Sequence, residues 1–147
     1  MTGERILVVE DEPAILNLVR EVLAEEGYEV THATNGADAL QAIAVGATFD
    51  LVVLDMWMPV VNGWQFAAAL TERGLRVPLL VMTAASSHAP AYARDIGAIG
   101  FIGKPFDVDQ LVLAVRNAVE ADGHVDGLDR PSADRGGPDP DFGAAPA

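Results

Sequence analysis

The sequence predicts an α/β domain built on a five-stranded parallel sheet with helices on both faces. Two patterns lead to this prediction. Several short apolar runs, among them residues 51–54 (LVVL), do not alternate with polar residues, which is typical of strands buried on both faces. The segments between these runs carry apolar residues at helical spacing. Because strands and helices alternate along the chain, right-handed crossovers would place helices on both sides of the sheet.

Five strands are expected. Four are apolar runs of the buried kind, and each is followed by residues that start a loop. The remaining segment, residues 28–33 (YEVTHA), alternates as a half-covered edge strand does. The buried runs are residues 5–10 (RILVVE), 51–54, 78–82 (PLLVM) and 99–103 (IGFIG).

The first three helices have recognisable ends. Pro13 fits the first turn of a helix, because the N–H that proline lacks has no partner there, and Gly27 suits the turn that ends it. Asn35 can cap a second, short helix that Gly46 closes. The third helix is expected to stop near Gly74.

The last two helices have different signals. Residues 86–97 form an alanine-rich helical segment, and Pro90 should limit it to a first turn or kink it. Asp107 and Gln110 have the spacing of a capping box, and apolar residues at helical spacing follow them. The fifth helix therefore has both a start signal and an apolar face.

Composition argues against several classes of function. The 147 residues carry a net charge of −13, which repels nucleic-acid phosphates, so we expect no direct nucleic-acid binding. No apolar run is long enough to span a bilayer, and the first residues lack the layout of a signal peptide. Because the chain also has no cysteine, we expect a cytoplasmic protein without membrane contact.

A change in composition near residue 123 divides the chain. Residues 1–122 are expected to form one domain, which is large enough to fold alone. Residues 123–147 are rich in Gly, Pro and Asp and poor in large apolar side chains, so they would not offset their ordering entropy. We expect a disordered tail there, and a linker to a further domain is the alternative.

Polar residues follow or end four of the predicted strands. They are Glu10 with Asp11, then Asp55, Thr83 and Lys104. Because the carboxyl ends of parallel strands share one edge of the sheet, these side chains should meet there. Two like charges about 4 Å apart repel by roughly 4 kcal/mol at an effective dielectric near 20, so the acids must hold protons or a cation.

The predicted cluster favours Mg²⁺ and a phosphoryl group. Its acidic donors are all oxygen atoms, which a hard cation such as Mg²⁺ prefers. A cation and Lys104 would neutralise a phosphoryl group, and the Thr83 hydroxyl would orient it. A carboxylate in this position, such as that of Asp55, can be the nucleophile that forms an aspartyl phosphate.

Four motifs lie at these strand ends. They are VVEDE, LDMWMP followed by VNG, MTA, and GFIGKPF. In order, spacing and context they resemble the receiver domains of two-component response regulators, and the resemblance runs from about residue 5 to residue 121. It implies a flavodoxin-like, doubly wound fold with the strand order 2-1-3-4-5.

The resemblance implies a phosphorylation site. Asp55 would accept a phosphoryl group from a sensor histidine kinase or a histidine phosphotransfer protein. Glu10, Asp11 and Asp55 would hold Mg²⁺ together with the backbone carbonyl of Trp57. The domain would not be a turnover enzyme, although it would be able to dephosphorylate itself.

The resemblance also implies a switch. Thr83, Ala84 and Lys104 would bind the phosphoryl oxygens, Phe101 would turn inward on activation, and the peptide bond before Pro105 would be cis. The face formed by the fourth helix, the fifth strand and the fifth helix would then change its affinity for a downstream protein or a second copy of the chain. We expect a stand-alone regulator without an output domain; the alternative is the receiver part of a larger regulator or of a hybrid kinase.

Other functions stay open at this point. An Mg²⁺-dependent phosphatase of the haloacid dehalogenase type also uses a strand-end aspartate, but it expects a second acid where this chain has Trp57. A flavodoxin would have a loop rich in Ser, Thr and Gly after the first strand, where this chain is acidic. A degenerate receiver domain used only for binding is a further alternative, and the presence of every acid argues against it.

Overall fold

The computed structural model describes residues 3–128, and for residues 122–128 it describes the backbone only. Five strands alternate with five helices along this part of the chain. The strands are β1 (Arg5–Val9), β2 (Glu29–Ala33), β3 (Leu51–Asp55), β4 (Leu79–Thr83) and β5 (Gly100–Gly103). The helices are α1 (Pro13–Glu25), α2 (Gly36–Ala44), α3 (Gly63–Glu72), α4 (Ala89–Ile96) and α5 (Val108–Leu128).

All five strands are parallel and form one sheet with the order β2-β1-β3-β4-β5. The predicted fold class and strand order are therefore confirmed. Val9 of β1 lies opposite Leu54 of β3, and Asp55 of β3 lies opposite Met82 of β4. This register brings the carboxyl ends of the three central strands to the same edge of the sheet.

Two apolar layers cover the sheet. On one face, α2, α3 and α4 pack against side chains such as Val52 and Val81; on the other, α1 and α5 pack against side chains such as Ile6 and Val53. Every residue of β3 and β4 is buried, which explains why these segments do not alternate in sequence. Burying one Val or Leu side chain contributes about 1.5–3 kcal/mol to the stability of the fold. The buried central strands therefore hold the edge of the sheet at which the polar residues lie in a fixed position.

Side chains cap three of the helices. Asn35 accepts a hydrogen bond of 2.8 Å from the backbone N–H three residues later, as predicted. Asp107 and Gln110 form the predicted capping box. Asn62 and Gln65 form a second capping box at the start of α3. The sequence indicates only a loop at Asn62. These caps fix the starting points of α2, α3 and α5.

The fourth helix begins later than predicted, although Pro90 lies in its first turn, one of the two places expected for it. Residues Ser86–His88 form a short 3₁₀ turn, and α4 starts only at Ala89, with Pro90 in its first turn. Proline suits this place because a first-turn N–H has no partner within the helix. Gly97 ends α4 in the left-handed conformation (φ 69°).

The end of the chain is described in part. The backbone of α5 continues through Leu128, past the domain boundary that the sequence predicts at residues 122–123. Residues 129–147 of the predicted tail lie outside the described residues, so its disorder stays a prediction. Within residues 3–128, no helix combines the length and apolar character needed to cross a membrane.

Candidate functional site

Three carboxylates meet at the carboxyl edge of the sheet. Glu10 and Asp11 directly follow β1, and Asp55 is the last residue of the neighbouring strand β3. One oxygen atom from each of the three lies within 4.8 Å of the others. Glu10 and Asp55 are 0% and 4% exposed, whereas Asp11 faces solvent. The site therefore combines two buried acids with one that a ligand can reach from outside.

Lys104 supplies the positive charge of the cluster. Its Nζ lies 3.0 Å from Oε1 of Glu10 and 3.6 Å from Oδ2 of Asp55. Burial lowers the pKa of Lys104, but the hydrogen bond to Glu10 and the charges of Asp55 and Glu10 outweigh that effect, so the pKa is raised overall. Lys104 is therefore a permanent cation at neutral pH.

The cluster holds more negative charge than Lys104 balances. Burial and the charge of Glu10 raise the pKa of Asp55 to about 6, although Lys104 and the backbone N–H of Trp57 act in the opposite direction. The carboxylate of Asp55 is thus held in a place where its charge is unfavourable. A further cation or a change in its chemical state would relieve this repulsion.

Backbone groups orient the two buried carboxylates. The N–H of Trp57 donates to Oδ1 of Asp55 at 3.2 Å, and the N–H of Glu12 donates to Oε2 of Glu10 at 3.0 Å. The remaining oxygens, Oδ2 of Asp55 and Oε1 of Glu10, are those that approach Lys104. Each carboxylate is therefore held between one backbone donor and the ammonium group.

The other predicted site residues lie on β4, β5 and their loops. Thr83 ends β4 fully buried, and its Oγ1 accepts a hydrogen bond of 3.1 Å from the N–H of Ala85. Ala84 is exposed. The carbonyl of Thr83 accepts a bond of 2.7 Å from the N–H of Lys104, which joins the ends of β4 and β5. The structure thus brings Thr83 and Ala84 to the same edge as the acids.

Phe101 lies apart from this cluster. It sits on β5, the edge strand, and 47% of it is exposed. The inward position that the resemblance implies for an activated state is not the one in this structure. The Lys104–Pro105 peptide bond is cis.

The loop between β3 and α3 is tightly built. Val60 has a φ of 71°, and the N–H of Val61 donates to the carbonyl of Pro59 at 2.8 Å, which closes a three-residue turn. The N–H of Gly63 donates to the carbonyl of Met56 at 2.9 Å, and a Cβ at position 63 would lie 2.9 Å from Met56 Cα. Only glycine fits this approach, so the residues that follow β3 are held close to the end of the strand.

An aromatic cluster beside the site was not predicted from the sequence. It consists of Trp57, Trp64 and Tyr92, with ring centroids 4.9 Å apart for Trp57–Trp64, 4.8 Å for Trp64–Tyr92 and 6.2 Å for Trp57–Tyr92, all edge-to-face. The Trp64 Nε1–H donates to Oδ2 of Asp95 at 2.9 Å. These residues come from one loop and two helices, and a single sequence carries no signal for their meeting.

The donors at this edge suit a hard divalent cation. Three carboxylates with oxygen atoms this close repel one another, as the raised pKa of Asp55 reflects. Within the described residues the cluster offers oxygen ligands, which match Mg²⁺ rather than a softer metal. The residues present therefore fit a magnesium ion.

The family model of the response regulator receiver domain matches residues 6–116. The chain belongs to this family. Among curated relatives of this receiver domain, the transcriptional regulatory protein PcoR of Escherichia coli is 39% identical over 114 residues, which are 77% of this chain and 50% of that protein. The transcriptional regulatory protein TcrA of Mycobacterium tuberculosis is 37% identical over 117 residues, 79% of this chain and 46% of that protein. The receiver domain chain thus spans about half the length of these relatives.

Solved structures of receiver domains have the same fold. The receiver domain of NtrX from Brucella abortus is 34% identical with a TM-score of 0.70, covering 78% of this chain and 98% of that one. The response regulator TrrA of Thermotoga maritima, solved in complex with Mg(2+)-BeF, is 35% identical with a TM-score of 0.68 and the same coverage of 78% and 98%.

Proposed function

We propose that this receiver domain is a phosphorylation switch in which Asp55 accepts a phosphoryl group from a phosphohistidine. The donor would be a sensor histidine kinase or a histidine phosphotransfer protein. The observation that carries the proposal is the position of Asp55: a buried carboxylate at the end of the central strand β3, beside Lys104 and two further acids. A carboxylate oxygen of Asp55 would form the new P–O bond while the P–N bond to histidine breaks and the imidazole takes up a proton.

We propose that Glu10, Asp11 and Asp55 hold Mg²⁺ together with the backbone carbonyl of Trp57. Support comes from the three carboxylates, whose oxygens lie within 4.8 Å of one another. When bound, the ion would supply Lewis-acid neutralisation of the phosphoryl charge. Of the proposed ligands, Asp11 is exposed and is the one that an ion arriving from solvent would meet first.

Thr83, Ala84 and Lys104 are proposed to receive the phosphoryl oxygens. Lys104 has three N–H donors, and two of them face Glu10 and Asp55. The Oγ1 of Thr83 accepts a hydrogen bond from the backbone N–H of Ala85. The hydroxyl proton of Thr83 is therefore free to donate to a phosphoryl oxygen. Ala84 is exposed and carries only a methyl side chain, which suits access of a phosphoryl group to Asp55.

We propose that the output surface is the face formed by α4, β5 and α5. Phe101 and Leu113 on this face are 47% and 54% exposed, and they line a groove of about 550 Å³ with Gln110 and Lys104. Movement of Thr83 toward the phosphoryl group would let Phe101 turn inward and change the groove. A downstream protein or a second copy of the chain would read this change.

The proposed role is that of a switch and not of a turnover enzyme, because each transfer modifies Asp55 itself. We place it in the cytoplasm on the ground of its cysteine-free composition. We also propose a protein rather than nucleic acid as the direct partner, since the net charge of −13 repels phosphate backbones. The output unit could be a separate protein or part of a longer regulator, in keeping with the length of the curated relatives.

The proposal is tested by labelling with acetyl phosphate and Mg²⁺. The unmodified chain should gain one phosphoryl group by mass, Asp55→Asn should gain none, and Asp109→Asn, which alters an exposed acid in the first turn of α5, should behave like the unmodified chain. A chelator should stop labelling while the circular dichroism spectrum stays native. Equal labelling of Asp55→Asn, or labelling that persists under chelation, would contradict the proposal.

A further inference from the structure

A groove crosses the amino-terminal edge of the sheet, which is the edge opposite to the one that carries Asp55. Its volume is about 520 Å³, and its walls come from the ends of α3 and α4 and from the residues at the start of β3, β4 and β5. A second groove of about 260 Å³ continues it toward the end of α2, since Phe49, Leu75, Arg76 and Val77 line both. Concave sites that hold small ligands usually have volumes of about 300–1,000 Å³, so this groove is large enough for a side chain and its neighbours.

The walls of the groove are mostly apolar and partly open to solvent. Ile99 is 41% exposed, and Leu75 and Ile96 are half-buried. The carboxylate of Asp50 also lies in the groove, and its Oδ2 accepts a hydrogen bond of 2.8 Å from the backbone N–H of Arg5. Neighbouring apolar side chains that stay open to solvent offer a surface to an apolar partner.

Two arginines without a side-chain partner belong to the connection between α3 and β4 that borders this groove. Arg76 lines the groove, and Arg73 lies three residues earlier, directly after α3. In residues 3–121 the other basic residues each have a partner, namely Arg5, Arg20, Arg94, Lys104 and Arg116. Because two guanidinium groups beside an apolar groove attract acidic groups, the partner that suits this site combines carboxylates with an apolar side chain.

The chain itself contains a segment with this chemistry. Residues 138–142 read PDPDF, and Phe142 is the one aromatic residue of the sequence after Phe106. The two aspartates of the segment have no basic residue near them, since residues 136–147 contain neither Lys nor Arg. Proline favours extended conformations at its own position and at the residue before it, which lowers the entropy that such a segment loses on binding.

The segment is long enough to reach the groove. The helix α5 starts at the carboxyl edge of the sheet and has 21 residues, which span about 31 Å, whereas a strand of five residues spans about 17 Å. It therefore ends at the amino-terminal edge. From Leu128 to Phe142 an extended chain covers up to about 46 Å, and five strands side by side are only about 19 Å wide. Phe142 can thus reach any point along this edge.

We propose that residues 138–142 dock within the same chain in this groove, with Phe142 against its apolar walls and Asp141 beside Arg76. Because the segment is tethered to the domain, its effective concentration at the groove is in the millimolar range, and a weak contact is enough to fill the site. The disorder predicted for the tail would then not include this segment while it is docked. The proposal does not depend on phosphorylation, since the groove and Asp55 lie at opposite edges of the sheet.

A spin label near the end of the chain tests the docking. The sequence has no cysteine, so Ala145→Cys places a nitroxide at one position of the full chain, three residues after the aromatic anchor. Paramagnetic broadening of the backbone amide signals should be strong at Leu75 and Ile99 in the groove and weak at Asp55. Signals in the groove that stay sharp, or that broaden no more than those at the opposite edge, would overturn the proposal.

Substitutions in the labelled chain test the two contacts separately. Phe142→Ala should lower the equilibrium constant for docking about tenfold, because the apolar anchor is lost. Arg76→Glu should weaken the broadening, and adding Asp141→Arg should restore it by exchanging the two charges. Arg20→Glu makes the same charge change on α1, away from the groove, and should leave the broadening unchanged. Broadening that survives Phe142→Ala, or that falls equally in Arg20→Glu and Arg76→Glu, would overturn the proposal.

A mixing experiment distinguishes docking within one chain from docking between two copies. Isotope-enriched chain without a spin label is mixed with spin-labelled chain at natural isotope abundance, so that only contacts between copies can broaden the observed signals. We expect no broadening in the groove of the enriched chain. Broadening as strong as that within the labelled chain would show that the groove receives the tail of a second copy, which would overturn docking within the chain.

Discussion

The ammonium group of Lys104 lies 3.0 Å from Oε1 of Glu10, a residue 94 positions earlier in the chain. Glu10 directly follows β1 and Lys104 directly follows β5. Strands β3 and β4 lie between these two strands, so the contact crosses the middle of the sheet edge. Both side chains are almost fully removed from solvent. The contact encloses the carboxylate of Asp55 between a buried acid and a buried base, and this arrangement governs how the site responds to mutation, pH and metal.

Lys104→Met should destabilise the metal-free protein. The substitution keeps a long side chain but leaves Glu10 and Asp55 without their cation, and removing one partner of a buried ion pair costs about 3–5 kcal/mol. Urea unfolding with a chelator at pH 7 should show a loss of this order. Lys104→Arg keeps the positive charge, so its loss of stability should be smaller than that of Lys104→Met. A loss below about 1 kcal/mol for Lys104→Met would contradict the role assigned to the pair.

Asp55→Asn should stabilise the metal-free protein at neutral pH. The pKa of Asp55 is raised to about 6 in the fold from 3.8, so the folded state binds the proton more tightly than the unfolded state. The charged form therefore lowers stability above pH 6, and this penalty disappears as the pH falls through about 6 toward 4. The variant should be more stable by up to about 3 kcal/mol at pH 8 and by less than about 1 kcal/mol at pH 4.

Urea unfolding curves from pH 4 to pH 8, with a chelator present, measure this difference directly. A matched series with Asp109→Asn corrects for the general effect of losing one negative charge. A stability gain for Asp55→Asn that stays the same at pH 4 and pH 8 would contradict the raised pKa, because an uncharged effect on packing has no such pH dependence.

Much of the site follows from the sequence, and the reason is topological. Once the chain is taken as alternating strands and helices, a parallel sheet must bring Glu10, Asp55 and Lys104 to one edge. The strand order was implied by the family resemblance and not by the residues alone. The aromatic cluster could not be predicted, because the meeting of Trp57 with Tyr92 depends on how α3 and α4 pack. The split between the 3₁₀ turn and α4 was missed for a similar reason, since several starting points for that helix satisfy Pro90 equally well.

Mg²⁺ should raise the stability of the unmodified chain. A ligand that binds only the folded state stabilises it by about 2.7 kcal/mol at a hundred times its Kd. Asp11→Asn should abolish most of this gain, because Asp11 is an exposed member of the carboxylate cluster whose replacement leaves the core unchanged. Glu12→Gln, which alters the adjacent exposed acid, should keep it. The gain is measured as the rise in the thermal unfolding temperature on addition of Mg²⁺. An equal rise in Asp11→Asn and in the unmodified chain would show that Asp11 is not a metal ligand.

Val60→Gly should make the protein more stable. Val60 is β-branched and has a φ of 71°, a conformation that costs such a residue about 1–3 kcal/mol. Its side chain is 79% exposed, so little packing is lost with it. The relief of strain should exceed the entropy that glycine adds to the unfolded chain, with a net gain of about 1 kcal/mol in urea unfolding. A loss of stability would show that the turn holds Val60 without strain.

The position of the modified residue shows whether Asp55 is the phosphoacceptor. After reaction with acetyl phosphate and Mg²⁺, treatment with borohydride reduces an aspartyl phosphate to homoserine, which peptide mass spectrometry locates in the sequence. We expect homoserine at position 55 and at no other aspartate. Homoserine at another position with Asp55 intact, or a label that resists borohydride, would contradict it.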